Sequence, residues 1–463
     1  MLFNSIDYFL FLTLVLFLYY KLNHKWRWLL LLVASYFFYA AWKVEFLGLI
    51  VFSTLVDYLC GIRIEKSSDN RSRKLFLWIS LVSNLSILYT FKYLDFSIDS
   101  INDFFSQNFV LYNLVLPMGI SFYTFQTMSY SIDVYKGNIK AERHLGYFAL
   151  YVTFFPQLVA GPIERASRLL PQLKKKVHYN PTNLSNGIKL VLIGLFKKVV
   201  IADRISLFVN EVYNNSGDYE GFVLILATIA FAIQIYCDFS GYSDIAIGSA
   251  RMLGIKLMTN FQTPYFSSSL KEFWTRWHIS LSQWFRDYVY IPLGGNRVVK
   301  WRWYYNLMIT FLISGLWHGA NWTFIVWGGI HGLMLVLETI NLKMPDFKLY
   351  RFLKIVFVFS VVCLAWVFFR ANTISDAGVI VSKIFSSTTK VGIVEDFKST
   401  GISLLNTLIL MYGVTILMIL DWLNFKNIVI TKSYLKLLGS LVLLFSIIAL
   451  GITEVKEFIY FQF

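Results

Sequence analysis

The sequence predicts an all-α polytopic membrane protein. Of its 463 residues, 57% are hydrophobic and only 15% are charged, whereas soluble domains carry about 25% charged residues. Long apolar segments recur along the chain, and several approach the roughly 20 residues that an α-helix needs to cross a bilayer. Lysine and arginine in cytoplasmic loops explain the net charge of +15, so nucleic acid is not an expected partner.

The apolar segments predict roughly 11–13 transmembrane or re-entrant helices. These segments are 6–20, 28–42, 46–62, 75–91, 111–134, 145–160, 187–202, 221–238, 304–317, 321–340, 352–370, 403–423 and 435–452. We expect residues 1–340 to form the core of one membrane domain, with its catalytic segment at 237–332. Residues 341–463 are expected to complete that domain with C-terminal transmembrane helices.

Loop charges predict the orientation of the chain in the membrane. The loops 21–27 and 63–74 are rich in lysine and arginine, whereas the loop 92–108 is acidic. Because basic loops tend to stay in the cytoplasm, the N-terminus and the acidic loop are expected outside. The longest stretch without a span, 239–303, is basic and is expected inside.

Residues 145–160 do not fit this alternation, since basic loops lie on both sides of them. Pro156, Gly161 and Pro162 interrupt the segment. Irregular backbone at membrane depth is tolerated only where protein or a water-filled cavity covers it. The segment is therefore expected to be re-entrant.

Other signals exclude several classes of protein. Cys60, Cys237 and Cys363 lie in apolar surroundings without a CxxC pairing, so neither a disulfide framework nor a zinc site is predicted. The motifs of phosphate-binding loops, dinucleotide-binding turns, zinc proteases and serine hydrolases are missing from the sequence. Residues 6–20 have no basic stretch before them and no small-residue cleavage site, which predicts a first span and not a removed signal peptide.

The stretch from Lys271 to Gly332 carries the main candidate, His318. This histidine lies between two apolar runs, and an ionisable side chain at such a depth indicates a functional site. Gly315 and Gly319 would let a helix or a substrate approach the backbone closely, and Asn321 adds a polar group. The alternative is a structural histidine that forms a hydrogen bond across a helix interface.

Residues 270–287 have the pattern of one amphipathic helix at the membrane surface. The apolar positions follow a three-four spacing and are Leu270, Trp274, Trp277, Leu281 and Trp284. The adjoining polar stripe is Lys271, Thr275, His278, Ser282 and Arg286. The pattern leaves two interpretations equally open: His278 dips into a site, or it faces lipid headgroups on a surface anchor.

Two further residues have less certain roles. His331 follows His318 by thirteen positions, which on a continuous helix is about 20 Å along the axis. It therefore cannot share a site with His318 unless the helix breaks at Gly319, and it is expected to be structural. Asp238 could line a polar cavity, or it could pair with Arg251 or another loop cation.

Five sequence blocks resemble one known family. They are LPMGISFYTFQTMSYSIDVYKG at 116–137, FFPQLVAGPIERASRLLPQ at 154–172, CDFSGYSDIAIGSARMLGI at 237–255, WHISLSQWFRDYVYIPLGGNR at 277–297 and GLWHGANWTFIVWGGIHG at 315–332. In this order they resemble the membrane-bound O-acyltransferases, in particular the bacterial branch that acetylates alginate and peptidoglycan. The resemblance covers roughly residues 1–340.

The resemblance implies a fold and a site. The family fold is a ring of membrane helices around a central funnel that leads to a buried catalytic histidine, and the matching residue is His318. A second family position falls on His278. Polar and aromatic residues of the catalytic segment are candidates for substrate binding: Trp274, Arg286, Trp317, Asn321 and Asp238.

The resemblance also implies an activity. The enzyme would move acetyl groups from acetyl-CoA across the cytoplasmic membrane, without a metal or bound cofactor, to a periplasmic or cell-surface transferase that acetylates a polysaccharide. A base that titrates near neutral pH suits such an acyl transfer. Arg286, Arg297 and Lys300 could attract the phosphates of the donor, although simple anchoring in the cytoplasm explains them equally well.

Three alternatives remain at this stage. A related branch transfers D-alanine from a carrier protein to teichoic acid, and the run IPLGGNR at 291–297 favours the acetylating branch instead. A transporter or lipid flippase could use His318 to relay protons, although no inverted repeat is visible in the sequence. A passive scaffold in a polysaccharide machine would tolerate substitution of either histidine.

Overall fold

The structure is a computed structural model that describes residues 1–159, 161–340, 348–386, 400–452, 454, 456 and 458–461. In these ranges the chain forms helices and no strand. Seven helices are long and apolar enough to cross a membrane: Val44–Lys66, Asn70–Phe105, Gly221–Met252, Trp322–Thr339, Leu349–Arg370, Leu404–Phe425 and Ser433–Leu450. The prediction of an all-α polytopic membrane protein is confirmed. The central funnel stays a prediction.

The described residues are α-helical along most of their length. In chain order, α1 to α20 are Ile6–Lys21, His24–Ala40, Leu47–Lys66, Asn70–Leu88, Leu94–Phe105, Ile120–Lys136, Leu145–Thr153, Phe155–Leu158, Ala166–Lys174, Pro181–Leu195, Asp203–Asn214, Gly221–Met252, Leu270–Arg276, Ile279–Phe285, Lys300–His318, Trp322–Thr339, Lys348–Arg370, Ile374–Ser386, Leu404–Phe425 and Ser433–Leu450. Wider π-helical turns lie at Tyr89–Tyr93, Phe196–Ala202 and Arg286–Tyr290.

The chain divides into two compact units. The first comprises Met1–Val191 and Ser243–Met258, and the second comprises Leu192–Tyr242 and Thr259–Phe463. Every candidate site residue lies in the second unit. The domain boundary expected after residue 340 adjoins residues outside the described ranges, and it stays a prediction.

In the first unit, a buried carboxylate joins three helices. Asp57 on α3 has no exposed surface. Its carboxylate accepts hydrogen bonds from the Ser80 hydroxyl of α4 at 2.5 Å and the Ser131 hydroxyl of α6 at 3.2 Å, and from the Asn84 amide of α4 at 2.8 Å. A buried polar group needs such partners. The network therefore fixes how α3, α4 and α6 pack.

The segment that was expected to be re-entrant contains no helix long enough to cross a bilayer. It forms α7, which ends at Thr153, and the four-residue α8, Phe155–Leu158, with Pro156 in its first turn. The backbone break at Phe154 leaves the N–H of Phe155 outside the helical pattern, and it donates to the Ser35 hydroxyl at 3.1 Å. The predicted interruption at Pro156 is present.

Glu164 is a second fully buried acid of the first unit. Its carboxylate accepts the backbone N–H of Met258 and lies 3.6 Å from Nε of Arg168. The Arg168 side chain is 42% exposed, so solvent screens its attraction. Burial outweighs both partners and raises the pKa of Glu164 from 4.5 to about 7.

We expect the first unit to lose stability as the pH rises through 7. A raised carboxyl pKa means that the folded state holds the proton more tightly than the unfolded chain, so its contribution is complete below about pH 4.5 and lost above about pH 7. Melting temperatures in detergent at about pH 5 and about pH 8 measure the difference. Glu164→Gln should reduce it, whereas Glu45→Gln at an exposed position should not. Equal pH dependence in all three proteins would contradict the assignment.

In the second unit, α15 and α16 form a closely packed hairpin. A Cβ atom on Gly315 would lie 2.2 Å from the carbonyl oxygen of Phe324, and one on Gly328 would lie 2.3 Å from that of Phe311. Only glycine permits this backbone contact. The close helix approach predicted at Gly315 is present, and it fixes where α15 ends.

Candidate active site

His318 is the last residue of α15 and is 5% exposed. The helix stops there because Gly319 is extended and the Asn321 side chain caps α16, its Oδ1 accepting the N–H of Thr323 at 3.0 Å. The imidazole lies among aromatic rings. Its centroid is 5.0 Å from that of Trp327 and 5.5 Å from that of Phe369. The ring is thus enclosed by apolar groups at a helix terminus.

His278 is also buried, with 2% of its surface exposed. The prediction of one continuous amphipathic helix is wrong, because the chain leaves α13 after Arg276, and His278 adopts a left-handed backbone with φ of 41° before α14 begins. This turn takes the imidazole out of the expected polar stripe and into the interior. The interpretation in which His278 faces headgroups is excluded. The apolar positions of the pattern are also buried within the protein.

Asn260 orients the His278 ring. The amide Oδ1 lies 3.1 Å from Nδ1 of His278 and also accepts the N–H and the hydroxyl of Ser280, at 3.2 and 2.9 Å. An amide oxygen only accepts, so Nδ1 carries the proton and Nε2 presents a lone pair. Burial holds the pKa of His278 well below its usual range, and the charge of a protonated His318 lowers it further. The ring is therefore neutral.

The two histidines belong to one aromatic cluster. The Phe239 ring lies 4.5 Å from that of His278 and 4.6 Å from that of Tyr460, which in turn lies 5.6 Å from His318. The fold brings together the histidines that the sequence singled out. Tyr460 and Phe239 were missed, because Phe239 is an apolar residue within the block at 237–255 and Tyr460 lies in no block and far along the chain from either histidine.

The helix does break at Gly319. This was the condition under which His331 and His318 could be neighbours, and the two residues lie close together. Trp327 lies between them, with its ring 5.0 Å from His318 and 4.9 Å from His331. His331 has no exposed surface, and neither ring nitrogen has a hydrogen-bond partner among the described residues. Its surroundings are aromatic, which agrees with a structural role.

A cavity of about 1300 Å³ lies beside this cluster. It is lined by Lys271, Trp274, Arg286, Trp303, Ser314 and Lys354, among others. Ser314 precedes His318 by four residues, so the cavity reaches α15 about 6 Å, one helical turn, from the histidine. Trp274 separates the cavity from His331, whose ring lies 5.0 Å away. The cavity combines an apolar wall with several cations.

The other candidates for substrate binding are placed differently. Trp274 and Arg286 line the cavity. Asn321 caps α16 and donates to the carbonyl of Asn372 at 3.1 Å, and Trp317 is half-buried. Asp238 is buried and pairs with Lys198 at 2.5 Å, an ammonium that the sequence had not indicated. Roles in substrate binding stay predictions for all five.

The donor set does not resemble a metal centre. Among the described residues, no group of three or more His, Cys, Asp or Glu side chains is arranged to hold a metal ion. Two histidines, an amide and a phenol instead provide groups that accept, hold and orient protons. Such a set suits proton transfer next to a reacting hydroxyl.

The chain matches known proteins over most of its length. The family model of the membrane-bound O-acyltransferases matches residues 139–375. A protein named probable alginate O-acetylase AlgI from Azotobacter vinelandii is 43% identical over 83% of this chain and 77% of its own. The peptidoglycan O-acetyltransferase of Helicobacter pylori is 38% identical over 77% and 73%. The teichoic acid D-alanyltransferase of Bacillus subtilis is 30% identical over 56% and 70%.

The region that the family model matches contains the residues of the candidate active site. Residues 139–375 include both buried histidines, Asn260 and most residues of the cavity wall. A family match over half the chain and identities near 40% over three quarters of it also decide against the transporter and scaffold alternatives. On this evidence the chain belongs to the membrane-bound O-acyltransferase family and is an acyltransferase.

Proposed function

We propose that this enzyme transfers acetyl groups from acetyl-CoA for the O-acetylation of an extracytoplasmic polysaccharide. One observation carries the proposal: His318 is buried at a helix end, one turn from a large cavity with cationic walls. The names of the relatives supply the chemistry of the acyl group, since those at about 40% identity are an alginate O-acetylase and a peptidoglycan O-acetyltransferase.

In this proposal His318 is the general base. A hydroxyl attacks the carbonyl carbon of the thioester, His318 accepts the hydroxyl proton, and the C–S bond breaks as the thiolate leaves and takes the proton from the imidazolium. Imidazole titrates near neutral pH, so it can both accept and return that proton. The aromatic walls exclude water, which strengthens the electrostatic interactions in the site and suppresses hydrolysis of the thioester.

His278 is proposed to position the attacking hydroxyl. Because Asn260 holds Nδ1 in its protonated form, Nε2 can accept a hydrogen bond but cannot donate one. A neutral ring of this tautomer can hold the hydroxyl of an acceptor, whereas it cannot stabilise a negatively charged oxygen through Nε2. The geometry therefore favours substrate positioning over charge stabilisation.

The cavity is proposed to receive the donor. Lys271, Arg286 and Lys354 line it together with apolar side chains. Ammonium and guanidinium groups bind phosphates, and the apolar wall suits the pantetheine arm and the acyl chain. Arg297 and Lys300, by contrast, are exposed and do not line the cavity, so they could act only by long-range attraction.

Localisation and partner follow from the same proposal. The basic loops support a donor side that faces the cytoplasm and therefore a location in the cytoplasmic membrane. In this proposal the site lies within the membrane domain, whereas the polysaccharide lies outside the membrane. We therefore infer a periplasmic or cell-surface transferase as the partner that receives the acetyl group and delivers it to the polymer.

The second candidate function is D-alanyl transfer from a carrier protein to teichoic acid. It is favoured by the D-alanyltransferase relatives, which are 30–31% identical over 54–56% of this chain. The acetylating relatives cover 77–83% of the chain at 38–43% identity. The closer and longer similarity supports acetyl transfer.

Purified enzyme in detergent or liposomes should release free CoA from acetyl-CoA when an acceptor is present. We expect no D-alanine transfer from a charged carrier protein under the same conditions. A thiol-reactive dye measures the released CoA, and radiolabelled acetyl groups measure transfer. Consumption of the charged carrier in place of acetyl-CoA would establish the D-alanyl function instead.

A further inference from the structure

Three ionised side chains of the second unit form a buried cluster. Nζ of Lys198 lies 2.5 Å from Oδ1 of Asp238 and 2.8 Å from Oδ1 of Asp203. All three residues are at most 3% exposed. Burying charges is unfavourable unless each has a close partner, and removing one partner leaves the others strongly destabilised. We call Lys198, Asp203 and Asp238 the charge cluster.

The charge cluster is assembled where two helical segments touch. Lys198 lies in the π-helical turn Phe196–Ala202, and Asp238 lies on α12. A Cβ atom on Gly241, one turn after Asp238, would be 2.7 Å from the carbonyl oxygen of Gly194, one turn before Lys198. This backbone contact lets the short Asp238 side chain reach the Lys198 ammonium.

The charge cluster also holds the end of the chain. The second carboxylate oxygen of Asp238 accepts the N–H of Ile459 at 2.7 Å. Nζ of Lys456 donates to the carbonyl of Asp203 at 3.3 Å and to the Ser206 hydroxyl at 3.1 Å. Lys456 and residues 458–461, which we call the C-terminal segment, are therefore held at two points.

Those two points determine where the aromatic rings of the C-terminal segment lie. The Phe458 ring stacks on that of Tyr242 at 4.7 Å and lies 5.3 Å from that of Phe239. Tyr460 then lies against His318, with the ring centroids 5.6 Å apart. The bond from Ile459 to Asp238 lies between these two rings in the chain and anchors the backbone that carries them.

We propose that the charge cluster positions the C-terminal segment, so that Tyr460 forms a wall of the His318 site. This inference rests on the proposed function of His318. In this proposal Lys198 and Asp238 act on the site through Tyr460 and are positioning residues. The wall keeps water from the imidazole and limits its rotation, and a displacement of about 1 Å in such a site can lower the rate by about 10²-fold.

Cross-linking can measure the position of the C-terminal segment directly. The full-length protein would carry Tyr242→Cys and Phe458→Cys, with Cys60, Cys237 and Cys363 replaced by alanine, and would be treated with a short bifunctional thiol reagent. We expect efficient cross-linking in this parent and at least a fivefold lower yield after Asp238→Ala. Asp421→Ala is the matched control, because Asp421 is another buried acid of the second unit and its carboxylate accepts the hydroxyl of Tyr236.

Turnover is measured on the same substitutions in the protein with native cysteines. We expect Asp238→Ala to lower kcat about 10- to 100-fold with little change in the KM for the donor, because the donor cavity is not altered. If Asp238→Ala does not accumulate in the membrane, Asp238→Asn replaces it. This variant keeps the side-chain volume and loses the charge, and its cross-linking yield should fall at least twofold.

A cross-linking yield that Asp238→Ala or Asp238→Asn leaves unchanged would overturn the proposal, even if activity falls. An equal loss in Asp421→Ala would also overturn it, because the effect would then be one of general destabilisation. The cross-linking test and the test of His318 can fail independently of each other. If His318→Ala retained activity, the proposed function would fail, whereas the cross-linking yield would still report whether the charge cluster holds the C-terminal segment.

Discussion

Replacing His318 with alanine is expected to lower acetyl transfer by about 10²- to 10⁴-fold, the usual contribution of a general base. The imidazole is the titratable group at the end of α15, and alanine can neither accept the hydroxyl proton nor return it to the thiolate. The substitution leaves Gly315 and the helix contact intact. Turnover of acetyl-CoA by purified protein, and the acetyl content of the cell-surface polysaccharide, measure the loss.

His331→Phe is the matched control for this experiment. His331 is equally buried, lies on the other side of Trp327, and has no hydrogen-bond partner among the described residues. Phenylalanine fills nearly the same space. It removes only the two ring nitrogens, which form no stabilising hydrogen bond among the described residues of the folded protein. Activity should be retained. Full acetylation by His318→Ala, with the protein present in the membrane, would refute the assignment of the base.

Replacing His278 with alanine is expected to lower turnover by about 10- to 100-fold while the amount of protein in the membrane changes little. The ring touches Phe239 and Asn260, and its loss leaves the acceptor hydroxyl without a partner. The effect should appear in kcat and in the KM for the acceptor, not in the KM for the donor. Loss of the protein from the membrane would instead show that His278 is structural.

The substitution Asn260→Asp tests the proposed tautomer of His278 in the same turnover assay. A carboxylate in place of the amide would favour the protonated ring and raise the pKa of His278, which burial otherwise holds well below its usual range. The charged ring carries a proton on Nε2 and can no longer accept the hydroxyl. Activity of Asn260→Asp should therefore fall as the pH is lowered from about 8 to about 6, more steeply than that of the native enzyme. Parallel pH profiles would contradict the proposed role of Nε2.

The sequence alone singled out His318 as a candidate because its signal is local. Two apolar runs surround the residue, and an ionisable group at such a depth has few structural explanations. The glycines on both sides pointed to a close helix contact, which Gly315 makes. The interruption between the two helices was also predicted, since the separate apolar segments 304–317 and 321–340 correspond to α15 and α16.

His278 shows where periodicity fails. The three-four spacing of residues 270–287 is correct for the buried tryptophans, yet one residue in a left-handed conformation turns His278 from the surface into the core. A non-glycine residue adopts that conformation only when the surroundings favour it. Here Asn260 accepts from the ring and its carbonyl accepts the N–H of Ile279, and sequence patterns do not reveal such long-range contacts.

The charge cluster and the position of Tyr460 could not be predicted from the sequence either, because both depend on long-range contacts. Lys198 appeared as one of many basic residues, and its burial depends on a π-helical turn and on glycines that bring two helical segments together. For Asp238 the sequence predicted a polar cavity or a loop cation such as Arg251, whereas its partner is Lys198 in the π-helical turn Phe196–Ala202.

The Asp57 network also constrains how the protein enters the membrane. An aspartate near the centre of an inserted helix is disfavoured by roughly 2.5–3.5 kcal/mol, and the partners that satisfy Asp57 lie on the following helix, at Ser80 and Asn84. Helix α3 alone would leave this carboxylate exposed to lipid. During biosynthesis α3 should therefore wait at the translocon until α4 has emerged from the ribosome, and the two should partition into the bilayer as a hairpin.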